Sequence, residues 1–166
     1  KNLMYIFENN KIKNIFLKEI NKRKIKIIRK NIKKLNEFNN YDLTILCLGR
    51  DSRIYQGINK NRSIDKDYNE IAITGYVKHK LKNLNTSQFF LKQGPLALLP
   101  FSKNSFSFVW SLNKTFYNNL KNTNAFVKTK ILEVLKTKEK IQITNIQSYP
   151  LILNLNRTYH ENNILI

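Results

Sequence analysis

The sequence predicts an α+β fold for this 166-residue chain, and two patterns carry that prediction. Apolar residues recur at helical spacing near the beginning of the chain and again after residue 113. Between these stretches, short apolar runs follow one another with brief polar connections, which is typical of antiparallel hairpins. A hydrophobic content of 42% is enough for an ordinary buried core.

The first part of the chain predicts a helix followed by a buried strand. Residues 11–21 place apolar side chains at helical spacing with lysines on the other face, and so predict an amphipathic helix. Residues 24–30 form a short β-branched segment. The run 43–49 is apolar at successive positions and predicts a strand buried within a sheet, in which Cys47 is buried and unpaired. Residues 50–67 are polar and predict an irregular connection.

From residue 70 the pattern changes to strands joined by tight connections, which predict one antiparallel sheet. A helix over residues 124–138 is expected to pack near this sheet, and a strand from Ile141 is interrupted at Pro150. The run PLALLP is apolar at nearly every position and predicts burial on both faces of its strand. The predicted strands are residues 70–80, 87–92, 95–101 and 105–112.

The charge of the chain is strongly positive, at +19 from 30 Lys and Arg against 11 Asp and Glu. Such a charge favours nucleic acid or an anionic membrane surface as a partner. Lysine and asparagine, however, fill non-core positions throughout the chain rather than forming one basic face, apart from a concentration over residues 11–34. A basic binding module is therefore the alternative function, and specific nucleic-acid binding is not expected.

Few residues point to catalytic chemistry. The two histidines are far apart in sequence, and no Cys and His spacing fits a metal site, so no metal is predicted. The glycines are too scattered for a dinucleotide-binding loop; they are Gly49, Gly57, Gly75 and Gly94. Asp51 follows Gly49 and Arg50 at the end of an apolar strand, a position where ligands dock in α/β folds; the alternative is a turn-forming or helix-capping role.

Four segments resemble the flavin-dependent aromatic hydroxylases of ubiquinone biosynthesis, relatives of para-hydroxybenzoate hydroxylase. Residues 87–111 are similar to a sequence pattern of the family. The pattern consists of GPLA, an apolar pair, a proline, a short turn and a strand that ends in VWS. Residues 5–12 resemble the family's Glu-Asn strand before a helix, and SYPLILN with the closing NILI resembles the stretch before its Gly-Asp motif. Residues 43–54 resemble its Asp-Gly turn, but Ser52 stands where glycine is usual and Arg50 where a small residue is usual.

The resemblance implies an internal segment of an FAD-dependent aromatic-ring monooxygenase that is inactive in isolation. Residues 1–67 would belong to an α/β FAD-binding domain, 68–150 to an antiparallel or mixed substrate-covering sheet with flanking helices, and 151–166 to a return into the FAD-binding domain. The whole protein would hydroxylate a polyprenylated phenol with O₂, FAD and NADH or NADPH. A cytoplasmic location is expected, with peripheral attachment to the inner membrane or to a ubiquinone-biosynthesis complex left open.

The same resemblance implies two groups of site residues. Because Ser52 stands where glycine is usual, two alternatives stay open for the whole protein: a flavin reductase or an inactive flavoprotein of the same fold. Catalytic residues are not assigned. Cofactor contact is expected from Gly49, Arg50 and Asp51, and the wall of the substrate pocket from Leu96, Leu98, Leu99, Pro100 and Trp110.

Overall fold

The computed structural model describes residues 5–34, 37, 40–49, 54–55 and 64–166, which form an α+β structure as predicted. Helices and strands come in the order that the sequence pattern indicates, although several bounds differ. The helices are α1 (Asn9–Lys22), α2 (Lys114–Asn118) and α3 (Thr123–Val134). The strands are β1 (Thr44–Ile45), β2 (Ile64–Lys78), β3 (Ser87–Leu91), β4 (Gly94–Ser102), β5 (Ser105–Asn113), β6 (Gln142–Leu155), β7 (His160–Glu161) and β8 (Ile164–Leu165).

A five-stranded sheet in the order β3-β4-β5-β2-β6 forms the larger part of the structure. Neighbouring strands from β3 to β2 are antiparallel, with Leu96 and Ile73 both opposite Trp110, and Leu98 opposite Phe108. The prediction of antiparallel strands in one sheet over residues 70–112 is therefore confirmed. The two-residue connections between β3 and β4 and between β4 and β5 explain the pairing, since tight turns force consecutive strands to lie side by side.

The core lies between one face of this sheet and α3. Alternate residues of β5, from Phe106 to Leu112, are almost completely buried, as are Val127 and Ile131 of α3. The Trp110 ring stacks on Phe126 with centroids 5.0 Å apart. Its Nε1 donates a hydrogen bond to the Gly94 carbonyl oxygen at 3.1 Å, which satisfies the one polar atom that the indole buries. The predicted packing of the second long helix near the sheet is confirmed.

Asparagine side chains begin both helices that follow the sheet. Asn113 Oδ1 accepts hydrogen bonds from the backbone N–H groups of Thr115 and Phe116, at 2.9 and 3.3 Å. Asn122 Oδ1 accepts one from the N–H of Ala125 at 2.9 Å. Each cap satisfies backbone donors that lack a partner in the first turn, and each typically contributes about 1 kcal/mol.

Two strands differ from the sequence prediction. Strand β2 begins at Ile64, inside the stretch predicted to be irregular, and Asp65 in this extension accepts a hydrogen bond from Asn154 Nδ2 at 2.6 Å. Strand β6 continues through Pro150 without interruption. Because β6 lies at an edge of the described sheet, the proline can leave its missing N–H on the side that pairs with no strand.

The smaller sheet corrects the prediction for the apolar run 43–49. Only Thr44–Ile45 forms a strand, which pairs in parallel with β8 and buries Leu46 against Ile164. Cys47 is exposed, and Ile45 is 59% exposed, so the expected burial on both faces is wrong for the described structure. The reason is the two-residue period of a strand: Leu46 faces Ile164, whereas Ile45 and Cys47 face the side that nothing in the described residues covers. Residues 25–30 form no strand.

The described residues divide into two compact units. One contains the chain up to Lys24 together with Asn69–Leu151, and the other contains Ile25–Tyr68 together with Ile152–Ile166. The sequence-based division grouped residues 1–67, whereas the structure groups the segment up to Lys24 with the sheet. The assignment of any segment to an FAD-binding domain stays a prediction.

Candidate functional site

The five-stranded sheet has one face covered by α3 and a second face with a different composition. Strand register places on this second face the residues that alternate with the core residues: Thr74 lies opposite Val109, and both Tyr76 and Leu99 lie opposite Ser107. These side chains are a mixture of small, polar, aliphatic and aromatic groups, and most are only partly buried. We call this surface the open face, and its central residues are Ala72, Thr74, Tyr76, Ala97, Leu99, Ser107 and Val109.

A cavity of about 300 Å³ is lined both by the open face and by residues 6–9, which lead into α1. Thr74, Tyr76, Ser107 and Val109 contribute from the sheet. A second cavity of about 390 Å³ shares Glu8, Asn9, Tyr76 and Phe101 with the first. Volumes of this size are in the range that holds small organic ligands.

The lining of the first cavity combines aromatic rings with a few polar groups. Tyr76 and Phe101 form an edge-to-face pair, with centroids 5.8 Å apart and an interplanar angle of 88°. Phe7 lines the same cavity, and Glu8 is the one charged residue among its described lining. Aromatic walls with a small number of polar groups favour a flat, largely apolar ligand that carries a hydrogen-bond donor.

The structure separates the residues predicted to form the pocket wall. Leu96, Leu98 and Trp110 are completely buried on the face that α3 covers, and they line neither cavity. Pro100 lies opposite Phe106, on the same covered side, whereas Leu99 belongs to the open face. The prediction did not separate the faces because PLALLP is apolar at successive positions, so its pattern does not show which residues point in which direction. A contact of Leu99 with substrate stays a prediction.

Of the residues predicted to contact a cofactor, the structure describes only Gly49, whereas Arg50 and Asp51 lie outside the described residues. Gly49 has a φ of +77° and open space around the position of a Cβ atom. The residue before Gly49 is Leu48, whose N–H donates a hydrogen bond to the Tyr55 hydroxyl at 2.9 Å. The same hydroxyl donates a hydrogen bond to the carbonyl oxygen of Leu46 at 3.1 Å. The Leu48 donor is thus already engaged within the chain.

Residues that sequence reasoning did not assign to a site form most of the cavity, notably Phe7, Glu8, Thr74, Tyr76 and Ser107. A signal for three of them was present. Thr74, Tyr76 and Ser107 occupy the alternate positions of strands whose other positions are strongly apolar. Phe7 and Glu8 lie in the segment 5–12 that carries part of the family resemblance, but no local pattern places them beside the sheet, because that approach depends on tertiary structure.

His79 is a packing residue and is almost completely buried. Its ring packs against Phe106 with centroids 5.2 Å apart, and its Nδ1 accepts a hydrogen bond from the N–H of Leu81 at 3.1 Å. Nε2 is buried and has no hydrogen-bond partner among the described residues. Burial lowers the pKa of His79, so the ring is neutral near pH 7.

The part of the chain that the structure describes contains no group of three or more His, Cys, Asp or Glu side chains able to hold a metal ion. Within the same residues, none of the helices combines the length and the apolar content needed to cross a membrane.

Comparison with known proteins identifies the fold. No family model and no curated protein matches the sequence. Among solved structures, the flavin-dependent halogenase CmlS matches 99% of this chain and 36% of its own length, with a TM-score of 0.70 and 12% identity. The myxobacterial chondrochloren halogenase CndH, an FAD-dependent halogenase, matches 75% of this chain and 32% of its own length, with a TM-score of 0.58 and 11% identity.

A triple mutant of the flavin-dependent brominase Bmp2 matches 67% of the chain and 31% of its own length, with a TM-score of 0.52 and 15% identity. The chain therefore spans about a third of the length of each of these structures. Identities this low establish the fold and no more. The chain has the fold of a segment of the flavin-dependent halogenases.

Proposed function

We propose that this chain is the substrate-covering segment of a flavin-dependent oxidative enzyme, and that the whole protein hydroxylates an electron-rich phenol. The observation that carries the proposal is the cavity on the open face of a sheet within a fold that matches a flavin-dependent halogenase over 99% of the chain. A polyprenylated phenol of ubiquinone biosynthesis is the substrate that the resemblance of residues 87–111 favours.

Hydroxylation and halogenation of an aromatic ring make similar demands on a protein. Both add an electrophilic atom to an electron-rich ring, and both need the ring held in place with water excluded. The aromatic pair Tyr76 and Phe101 offers a surface against which such a ring can pack. Halogenation is the runner-up reaction, supported by the fold neighbours, and hydroxylation is preferred on the resemblance in β3, β4 and β5.

The described residues do not by themselves fit the pyrophosphate of FAD. A pyrophosphate site needs unengaged backbone N–H groups at a helix N-terminus, usually in a glycine-rich loop. The four glycines of this chain are scattered, and the N–H of Leu48 beside Gly49 is bonded to Tyr55. We therefore infer that FAD, which supplies the activation of O₂ when bound, is held mainly by residues outside this chain. NADH or NADPH would be the electron donor.

A second candidate function, peripheral attachment to an anionic membrane, is favoured by helix α1. No residue of α1 is buried, and Ile15, Phe16 and Leu17 are between 40% and 62% exposed beside several lysines. An amphipathic helix of this composition binds anionic lipid surfaces. Sedimentation with vesicles tests it: binding to phosphatidylserine vesicles that is lost in Phe16→Glu supports attachment, and equal binding of both proteins refutes it.

The test of the proposed enzyme uses the full-length protein that contains these residues. It is purified, its flavin content is measured, and it is mixed with NADH or NADPH, O₂ and 2-allylphenol in the presence and absence of bromide. Mass spectrometry then distinguishes the products. Gain of one oxygen supports hydroxylation, replacement of hydrogen by bromine supports halogenation, and absence of both flavin and product refutes a flavin-dependent enzyme.

A matched pair of variants tests the position of the site. Ser107→Phe places a ring into the first cavity and should raise the KM for 2-allylphenol by about 10-fold or more, because the ring occupies ligand space. Ser148→Phe adds the same ring at an exposed position that lines neither cavity, and it should leave KM unchanged. Equal effects of the two variants would place the substrate elsewhere.

A further inference from the structure

We propose that the Glu8 carboxylate binds the ring hydroxyl of the substrate and accepts its proton. This inference rests on the proposed function, since it needs a phenol in the cavity on the open face. In the step, the phenolic O–H bond breaks, the proton passes to a carboxylate oxygen of Glu8, and the electron pair stays on the substrate oxygen. The resulting phenolate has more electron density at its ring carbons, which favours attack by an electrophilic atom.

Glu8 is the residue that the lining of the two cavities singles out. It lines both, and among the described lining residues it is the one carboxylate. The other charged group is Lys78, which lines the second cavity only. A phenol in the first cavity therefore meets a single ionisable acceptor, while the remaining polar groups there are hydroxyls and amides.

The carboxylate of Glu8 retains acceptor capacity. Although Glu8 stands at the N-cap position of α1, its side chain makes no hydrogen bond to the first turn of the helix. Its ionic partner is Lys11, with an Nζ to Oε1 distance of 3.4 Å, and the Lys11 side chain is 71% exposed. Solvent-exposed pairs of this kind are weak. A substrate hydroxyl can therefore approach the carboxylate without first displacing a strong partner.

The shared walls of the two cavities indicate the class of phenol. Tyr76 and Phe101 line both, as Glu8 does, so the two cavities adjoin one another. A ring packed on these aromatic side chains would direct its hydroxyl toward Glu8 and leave the second cavity for a substituent. The substrate class is thus a phenol that carries an alkyl or prenyl chain.

The experiment compares two substrates that differ only at the oxygen, 2-allylphenol and its methyl ether 2-allylanisole. The full-length protein and its Glu8→Gln variant are assayed with both. We expect Glu8→Gln to lower kcat/KM for the phenol by about 10- to 100-fold, the range for losing a hydrogen bond to a charged group. The ether has no proton to give, so its kcat/KM should change by less than about 2-fold.

Two variants serve as controls. Glu19→Gln removes an equivalent charge from the exposed side of the same helix, where Glu19 pairs with Arg23 at 3.5 Å, and it should leave both substrates unaffected. Glu8→Asp keeps a carboxylate on a shorter side chain and should restore part of the phenol activity. A structural role for Glu8 would instead lower activity on both substrates and would be rescued equally for both.

Three results would overturn the inference: unchanged phenol activity in Glu8→Gln, an equal loss on phenol and ether, or the same phenol loss in Glu19→Gln. If the wild-type protein converts neither compound, the proposed enzyme activity fails, and calorimetric titration with the two compounds still decides the role of Glu8. Preferential binding of the phenol that disappears in Glu8→Gln supports the contact. Equal binding of both compounds by the two proteins refutes it.

Discussion

Leu98 and Leu99 are neighbours in β4, and their side chains lie on opposite faces of the sheet. Substituting each by alanine therefore compares the loss of stability on the core face with the loss on the open face. Leu98 is completely buried opposite Phe108. Leu98→Ala removes three buried carbon atoms, worth about 0.8 kcal/mol each, and leaves a cavity, so the free energy of unfolding should fall by about 3–4 kcal/mol. Leu99 is only partly buried, and Leu99→Ala should cost about 1 kcal/mol or less.

Urea denaturation measures this difference directly. Trp110 is the single tryptophan of the chain and is completely buried, so its fluorescence reports unfolding of the sheet. The urea midpoint should fall much further for Leu98→Ala than for Leu99→Ala, with little change in the dependence on urea concentration. Equal destabilisation by the two substitutions, or a larger effect of Leu99→Ala, would refute the assignment of faces.

Three further predictions concern single positions. Gly94→Ala should lower the free energy of unfolding by at least about 2 kcal/mol in a thermal melt, because Gly94 has a φ of +131° and an added Cβ would meet the Ser111 carbonyl oxygen. Burial holds the pKa of His79 below its ordinary value of 6.5, so the free energy of unfolding should fall as the pH drops through 6.5, where only the unfolded chain gains the proton. His79→Gln should flatten this dependence in urea titrations at several pH values. Cys47 is exposed and should react rapidly with a thiol reagent in the folded chain.

Each of these predictions has a result that would contradict it. Wild-type stability of Gly94→Ala would mean that the backbone at this position is not strained. A pH dependence that is identical in wild type and His79→Gln would show that the histidine is not responsible for it. Protection of Cys47 from the reagent would agree with the sequence-based expectation of burial and would show that another surface covers the outer side of β1.

Strand positions in the central sheet could be predicted from the sequence because the tight connections around β4 restrict each strand to its neighbour. The helix after residue 122 was predictable for a similar reason, since its apolar spacing is local information. The direction of side chains in PLALLP was not predictable, because an apolar run has no period. It is set instead by the pairing of Leu96 with Trp110, which lies on another strand.

The candidate site was less accessible to sequence reasoning than the fold. Thr74 and Ser107 are common residues at partly buried strand positions, and only their neighbours in space make them a cavity wall. Glu8 approaches them from a distant part of the sequence. The extension of β2 back to Ile64 was not predicted because charged residues follow at 65–67, and a run of charged residues usually indicates a loop.

Gly75 and Phe108, which lie opposite each other on β2 and β5, have a consequence for how related sequences can vary. A Cβ atom at position 75 would lie 2.7 Å from Cε1 of the Phe108 ring and 3.3 Å from the Thr144 carbonyl oxygen. The Phe108 ring is completely buried, so an added methyl group at position 75 would force it to shift within a packed core. Substitutions at these two positions should therefore be correlated in evolution, so that relatives with a larger residue at 75 carry a smaller one at 108.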